Sequence, residues 1–218
     1  MQRLRWFGGS LALALFAGGL PPATSAAAQL PPFQSSVQRI DAGLRERMVH
    51  SWRPGCPVPR RDLRYVTVSF VGFGGNPRVG ELVVHKAQAA KVVSIFERLY
   101  ELRFPIRRMR LVDDYRADDD ASMAADNTSA FNCRYKSRTT TWSEHAYGRA
   151  IDLNPVQNPY VYRGIADPRA GQSYVDRSPL RRGMVTPGVR RAFASAGWEW
   201  GGSWRSVKDY QHFSTTGR

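Results

Sequence analysis

The sequence predicts an α+β fold: a central, mainly antiparallel sheet with flanking helices. Two observations lead there. Residues 63–85 read as a β-hairpin, two strands about a glycine-rich turn. Beyond it, helical and extended stretches follow in irregular order, without the strict alternation of a doubly wound sheet. A chain of 218 residues can bury a core of its own. Its 42% hydrophobic and 23% charged residues exclude a collagen-like chain, a disordered tail and a multi-span membrane protein.

The elements follow in chain order. Residues 1–28 are expected to be a signal peptide. Arg3 and Arg5 supply the positive start and Leu11–Ala17 an apolar run. Pro21 and Pro22 break the run, and Ala26-Ala27-Ala28 offers small residues for cleavage before Gln29. The apolar run falls short of the roughly 20 residues that span a bilayer. The processed protein is therefore expected outside the cytoplasmic membrane, secreted or in the cell envelope, with no stable membrane span. Residues 29–62 read as an N-terminal extension with a helix over Val37–Val49. A domain is expected over 63–218.

In Leu63–Phe70, Leu63, Tyr65, Thr67 and Ser69 fall on one face and Arg64, Val66, Val68 and Phe70 on the other. Gly72 to Pro77 make the turn, and Val79–His85 returns. Ala89, Val92, Phe96 and Leu99 then share a helical face within Lys86–Arg103, and Pro105 stops that helix. Met109–Val112 reads as a strand. Asp113–Asn127, with Asp118, Asp119 and Asp120 in a row, reads as an acidic loop. Pro187–Ala196 reads as a short helix with Thr186 as its cap and Gly197 as its end.

The net charge is +14, carried by 28 arginines and 4 lysines against 18 acids. Such a surface attracts polyanions. The arginines are spread along the chain rather than clustered. Acidic cell-wall polymers suit an exported chain, and no nucleic-acid partner is expected. Cys56 and Cys133 are the only cysteines, and export permits their oxidation. A Cys56–Cys133 bridge is expected to hold the Pro-rich stretch around Pro54, Pro57 and Pro59.

The chemistry concentrates in two late segments. The first runs from Trp142 to Pro155 and holds His145 and Asp152. The second runs from Trp198 to Phe213 and holds Asp209 and His212. Two histidines and a carboxylate form a sufficient protein set for catalytic zinc, with a fourth position left for water. A second carboxylate is then needed to move protons. His145, Asp152 and His212 fit the first need and Asp209 the second. No H-E-x-x-H helix is present. Asp209 and His212 lie three apart, so in a plain strand they would face opposite ways. A shared site requires a bend between them. Trp198 is expected in the core, and Tyr160 beside a substrate cleft.

The block S-x-H-x-x-G-x-A-x-D, Ser143 to Asp152, is followed by Leu153-Asn154-Pro155. It resembles the signature of the zinc D-Ala-D-Ala carboxypeptidase / L-Ala-D-Glu endopeptidase family. These are peptidoglycan peptidases that share a fold with hedgehog signalling domains. The block W-G-G-x-W running to D-x-x-H-F, Trp200 to Phe213, is similar to the second half of that signature. The resemblance implies a hedgehog/DD-peptidase-like fold and one zinc per chain, held by His145, Asp152 and His212. It implies Asp209 as general base and Arg134 as the arginine that steadies the oxyanion. Many D,D-carboxypeptidases carry Glu at the base position, whereas Asp resembles the L-Ala-D-Glu endopeptidase branch. Peptidoglycan stem peptides are the implied substrate, and Ser143, Tyr147 and Trp200 are candidates to meet them. A monomer is expected. The alternative is a non-catalytic, zinc-containing wall-binding module.

Overall fold

The computed structural model describes residues 1–2 and 29–217. The expected signal segment falls almost wholly outside the described residues. Ser35–Arg39 (β1) pairs antiparallel with Leu63–Gly72 (β2), whose other edge pairs with Pro77–His85 (β3). Between them, Ala42–Arg47 forms α1. Ala89–Glu101 (α2) follows the hairpin, and Pro105–Ile106 (β4) extends the sheet by pairing parallel with the end of β2. Arg108–Met109 (β5) pairs with Asn127–Thr128 (β6), and Asp119–Ala124 (α3) lies between those two. The remaining elements are Ala150–Asp152 (β7), Tyr160–Tyr162 (β8), Ile165–Asp167 (β9), Pro187–Ser195 (α4), Glu199–Trp200 (β10), Lys208–Asp209 (β11) and His212–Ser214 (β12). They build two small sheets, β10-β12-β7 and β11-β8-β9. The α+β reading holds, with its antiparallel pairing divided among a main sheet and smaller ones.

The alternation along β2 explains how the main sheet is covered. Val66, Val68 and Phe70, with Leu82 and Val84 of β3, face a core filled by Val92, Ile95, Phe96 and Leu99 of α2. Leu63 and Val83 face the other way, against Ile40, Leu44, Met48, Phe131 and Cys133. The segment before β2 thus supplies both an edge strand and part of the core. The sheet is buried on two sides, as a strand with apolar residues on both faces requires. Trp198 is buried in the first core, as expected.

Three local expectations are corrected. The helix expected over Val37–Val49 is a strand followed by a short helix. Val37 pairs with Val66 in the sheet, and the Asp41 side chain accepts the Leu44 N–H to start α1 afresh. The strand expected at Met109–Val112 ends at Met109. Beyond it the Asn127 side chain binds both the N–H and the C=O of Arg110, replacing a ladder partner. The acidic loop contains α3. Asp118 caps it by accepting from Ala121 N–H, and Asp119 and Asp120 sit in its first turn, where the helix dipole favours negative charge.

Cys56 and Cys133 are joined, with their Cα atoms 5.9 Å apart. The bridge ties the Pro-rich stretch to the residue preceding Arg134 and closes a loop of sequence separation 77. Its removal in a Cys56→Ser/Cys133→Ser variant is expected to lower stability by about 2–4 kcal/mol. Urea unfolding reads this, and an unchanged midpoint would contradict it. Among the described residues, no helix is long and apolar enough to cross a membrane.

Candidate metal centre

Segment 129–133 links the main sheet to the site. Phe131 N–H donates to Val83 C=O on β3, and Ser129 and Asp152 exchange both backbone hydrogen bonds. Asn132 N–H donates to His145 C=O. The first motif block, through His145 and Asp152, therefore rests on the same frame as the hairpin core.

The first motif reads as a set of local constraints. Ser143 caps a 3₁₀ turn, Glu144–Tyr147, and its hydroxyl accepts the His145 N–H at 3.3 Å. Gly148 ends the turn at φ +66°. A Cβ there would stand 2.6 Å from the backbone nitrogen of His85, while Gly148 C=O accepts from that same N–H. Gly148→Ala is accordingly expected to destabilise the fold by about 1–3 kcal/mol. Chemical denaturation measures this, and a wild-type midpoint would contradict it. Ala150 and Asp152 lie on β7, which pairs directly with β12 and sets Asp152 opposite His212.

The three side chains meet in the interior. His145 Nε2 lies 3.0 Å from Asp152 Oδ2 and 3.3 Å from His212 Nδ1, and His212 Nδ1 lies 3.1 Å from Asp152 Oδ1. Their potential ligand atoms all fall within 4.8 Å of one another, and all three residues are buried. His145 Nδ1 is 2.6 Å from Ala130 C=O. That contact places the ring hydrogen on Nδ1 and leaves the Nε2 lone pair facing the cluster, the usual way a ligating imidazole is oriented. Burial alone would raise the Asp152 pKa, but the charges and hydrogen bonds of His145 and His212 hold it well below the usual carboxylate range. Two imidazole nitrogens and an ionised carboxylate, converging away from water, suit a zinc ion with an open position.

The chain bends where it must. Asp209 ends β11, which pairs with β8, whereas His212 begins β12, which pairs with β7 and β10. Gly201 explains how both reach one place. A Cβ there would stand 2.8 Å from Asp209 O, 3.0 Å from Asp209 Cβ and 3.3 Å from His212 Cβ. Gly202 likewise leaves room for the Trp200 ring. Asp209 Oδ1 is buried with no hydrogen-bond partner among the described residues. Burial pushes its carboxyl up to about 7 against the pull of His212, and the charge of Asp152 adds to the rise. Tyr160, opposite Asp209 on β8, has its hydroxyl pKa raised by burial and by that carboxylate.

Arg134 lies beside this group. Its Nη2 is 2.7 Å from Asp119 Oδ2, and its Nε is buried without an acceptor among the described residues. Its charge is felt at Asp209. Asp119 is a further neighbour of the site, and its one signal in the sequence is the acidic run Asp118-Asp119-Asp120. The Ala130 carbonyl, a backbone group, has no sequence signal at all. Glu144 is taken up by Arg149, with Oε2 2.6 Å from Nε. Trp200 donates its indole N–H to Tyr210 C=O at 2.8 Å. Tyr147 is half-buried against the second core, with the Arg149 guanidinium 4.3 Å over its ring.

Residues 137–215 match the family model described as D-alanyl-D-alanine carboxypeptidase. Over this segment the chain is similar to that peptidase family. The match spans His145, Asp152, Asp209 and His212, and Arg134 stands just before it. The resemblance carried by the two motifs is borne out here. Comparisons with curated proteins and with solved structures found no match.

Proposed function

We propose that the protein is an exported zinc metallopeptidase that hydrolyses peptide bonds in peptidoglycan stem peptides. The observation that carries this reading is the buried convergence of His145, Asp152 and His212, with Asp209 packed beside Gly201 as His212 is, its Oδ1 buried and without a hydrogen-bond partner among the described residues. Both imidazoles and Asp152 would hold the zinc, one ion per chain. Bound there, zinc supplies Lewis acidity to the scissile carbonyl and acidifies a water. Asp209 Oδ1 takes the proton of the attacking water and gives it to the departing amine. Its burial raises its affinity for that proton. A neighbouring dication would draw its pKa back below the metal-free value of about 7, so that it stands ionised at neutral pH. Arg134 offers charged donors to the oxyanion as the carbonyl becomes tetrahedral. An unsatisfied buried donor costs about 1–3 kcal/mol. The orphan Nε of Arg134 suits an acceptor that arrives with substrate.

The bond cut is D-Ala-D-Ala or L-Ala-D-Glu, and Asp209 in place of Glu favours the latter. Residues 1–28 serve as the export signal, and the Cys56–Cys133 bridge fits an oxidising compartment. The basic surface aids retention at the anionic envelope. The test is digestion of purified sacculi with fragments resolved by mass. Release of D-Ala alone marks the carboxypeptidase, and a split stem marks the endopeptidase. Zinc binding with no fragment from sacculi or free stem peptides would overturn the enzymatic reading and favour a wall-binding module.

A further inference from the structure

We propose that Asp119 is a positioning residue that sets the Arg134 guanidinium before substrate arrives. The proposal rests on the peptidase reading given above. The acidic run Asp118-Asp119-Asp120 has divided labour. Asp118 spends its carboxylate on the α3 cap, which frees Asp119 for another contact. Asp119 Oδ2 meets Arg134 Nη2 at 2.7 Å. The remaining guanidinium contacts are weak: Nη1 reaches Tyr135 C=O only at 3.4 Å, and Nε has no acceptor among the described residues. Among the described residues, Asp119 is thus the one strong anchor of this arginine.

The pair differs from an ordinary surface ion pair. Its side chains are 28% and 27% exposed, against 59% and 54% for Arg98–Glu101 on α2. Screening is correspondingly weaker. The backbone holds both partners in one frame with the metal centre. Asn132 Nδ2 donates to Ala117 C=O before α3, and Asn132 N–H donates to His145 C=O. Ser143, which caps the His145 turn, donates its N–H to Arg134 C=O. The Asp119 carboxyl, raised by burial and drawn down by Arg134, also senses the charges of Asp152 and His145.

The physical value is preorganisation. A free arginine side chain has about 2 kcal/mol of rotamer entropy to lose. Fixing it through Nη2 removes that cost from the reaction and leaves Nε and Nη1 to face developing charge.

The test compares wild type, Asp119→Asn, Asp119→Ala, Asp119→Glu, Arg134→Ala and the Asp119→Ala/Arg134→Ala double variant on a soluble stem peptide. Zinc content and melting temperature are measured for each. Asp119→Asn keeps the side-chain shape should the alanine variant fold poorly. The expected result is a fall in kcat of about 10–100-fold, the scale seen when groups that hold a catalytic part in place are removed. KM and zinc content stay near wild type, and Asp119→Glu recovers part of the rate. In the Arg134→Ala background the Asp119 change has no further effect, because the two act as a unit. An equal fall in both backgrounds, a loss of zinc, or an active Arg134→Ala variant overturns the proposal. Peptide release by wild type with any of these leaves the peptidase reading standing; an inactive zinc-loaded wild type overturns both.

Discussion

Asp209→Asn is expected to lower kcat for stem-peptide hydrolysis by about 10²–10⁴-fold, the range a positioned general base supplies. The substitution is nearly isosteric and removes no hydrogen bond from Oδ1, which has none among the described residues. Zinc content and melting temperature should therefore stay close to wild type. The pH profile gives a second readout. A base works only when deprotonated, so kcat/KM rises with pH through the Asp209 titration. That acidic limb should disappear in the Asn variant. An Asn variant within a few-fold of wild type, with the limb intact, would remove Asp209 from the mechanism. Glu144 would be no substitute, because Arg149 already holds it.

His145→Ala is expected to abolish both zinc retention and peptide release. Changes to groups that merely orient a ligand cost about 10–100-fold in metal affinity, and loss of the ligand itself should exceed that. The structure adds a reason specific to His145. Its Nδ1 is anchored at 2.6 Å to Ala130 C=O, which aims Nε2 at Asp152 and His212. The variant also strands that carbonyl, so some stability is lost with the metal. Far-UV circular dichroism separates that loss from unfolding. A folded variant that keeps one zinc and full activity would contradict the ligand assignment.

Much of the site was legible in sequence because its residues sit in short, geometrically demanding motifs. Gly148 is needed for a left-handed turn against β3, and Gly201 is needed where Asp209 and His212 converge. Such positions leave marks in the residue types themselves. The hairpin was legible from its period-two pattern and glycine turn, and α4 from Thr186 and Pro187. What escaped depends on long-range partners. Residues 35–39 are a strand only because β2 stands beside them. Residues beyond Met109 leave the ladder only because Asn127, far along the chain, takes its place. Asp119 entered the site because a six-residue helix brought it to Arg134, and an acidic run by itself does not announce a helix.

The claim that most needs testing is that His145, Asp152 and His212 hold a zinc ion on which peptide cleavage depends. The direct measurement is metal content of the purified processed protein, taken with sacculus digestion before chelation, after chelation and after zinc is restored. The expected result is one zinc per chain, lost together with fragment release and regained with it. A well-folded protein that binds no zinc, or that releases the same fragments after complete chelation, would contradict it.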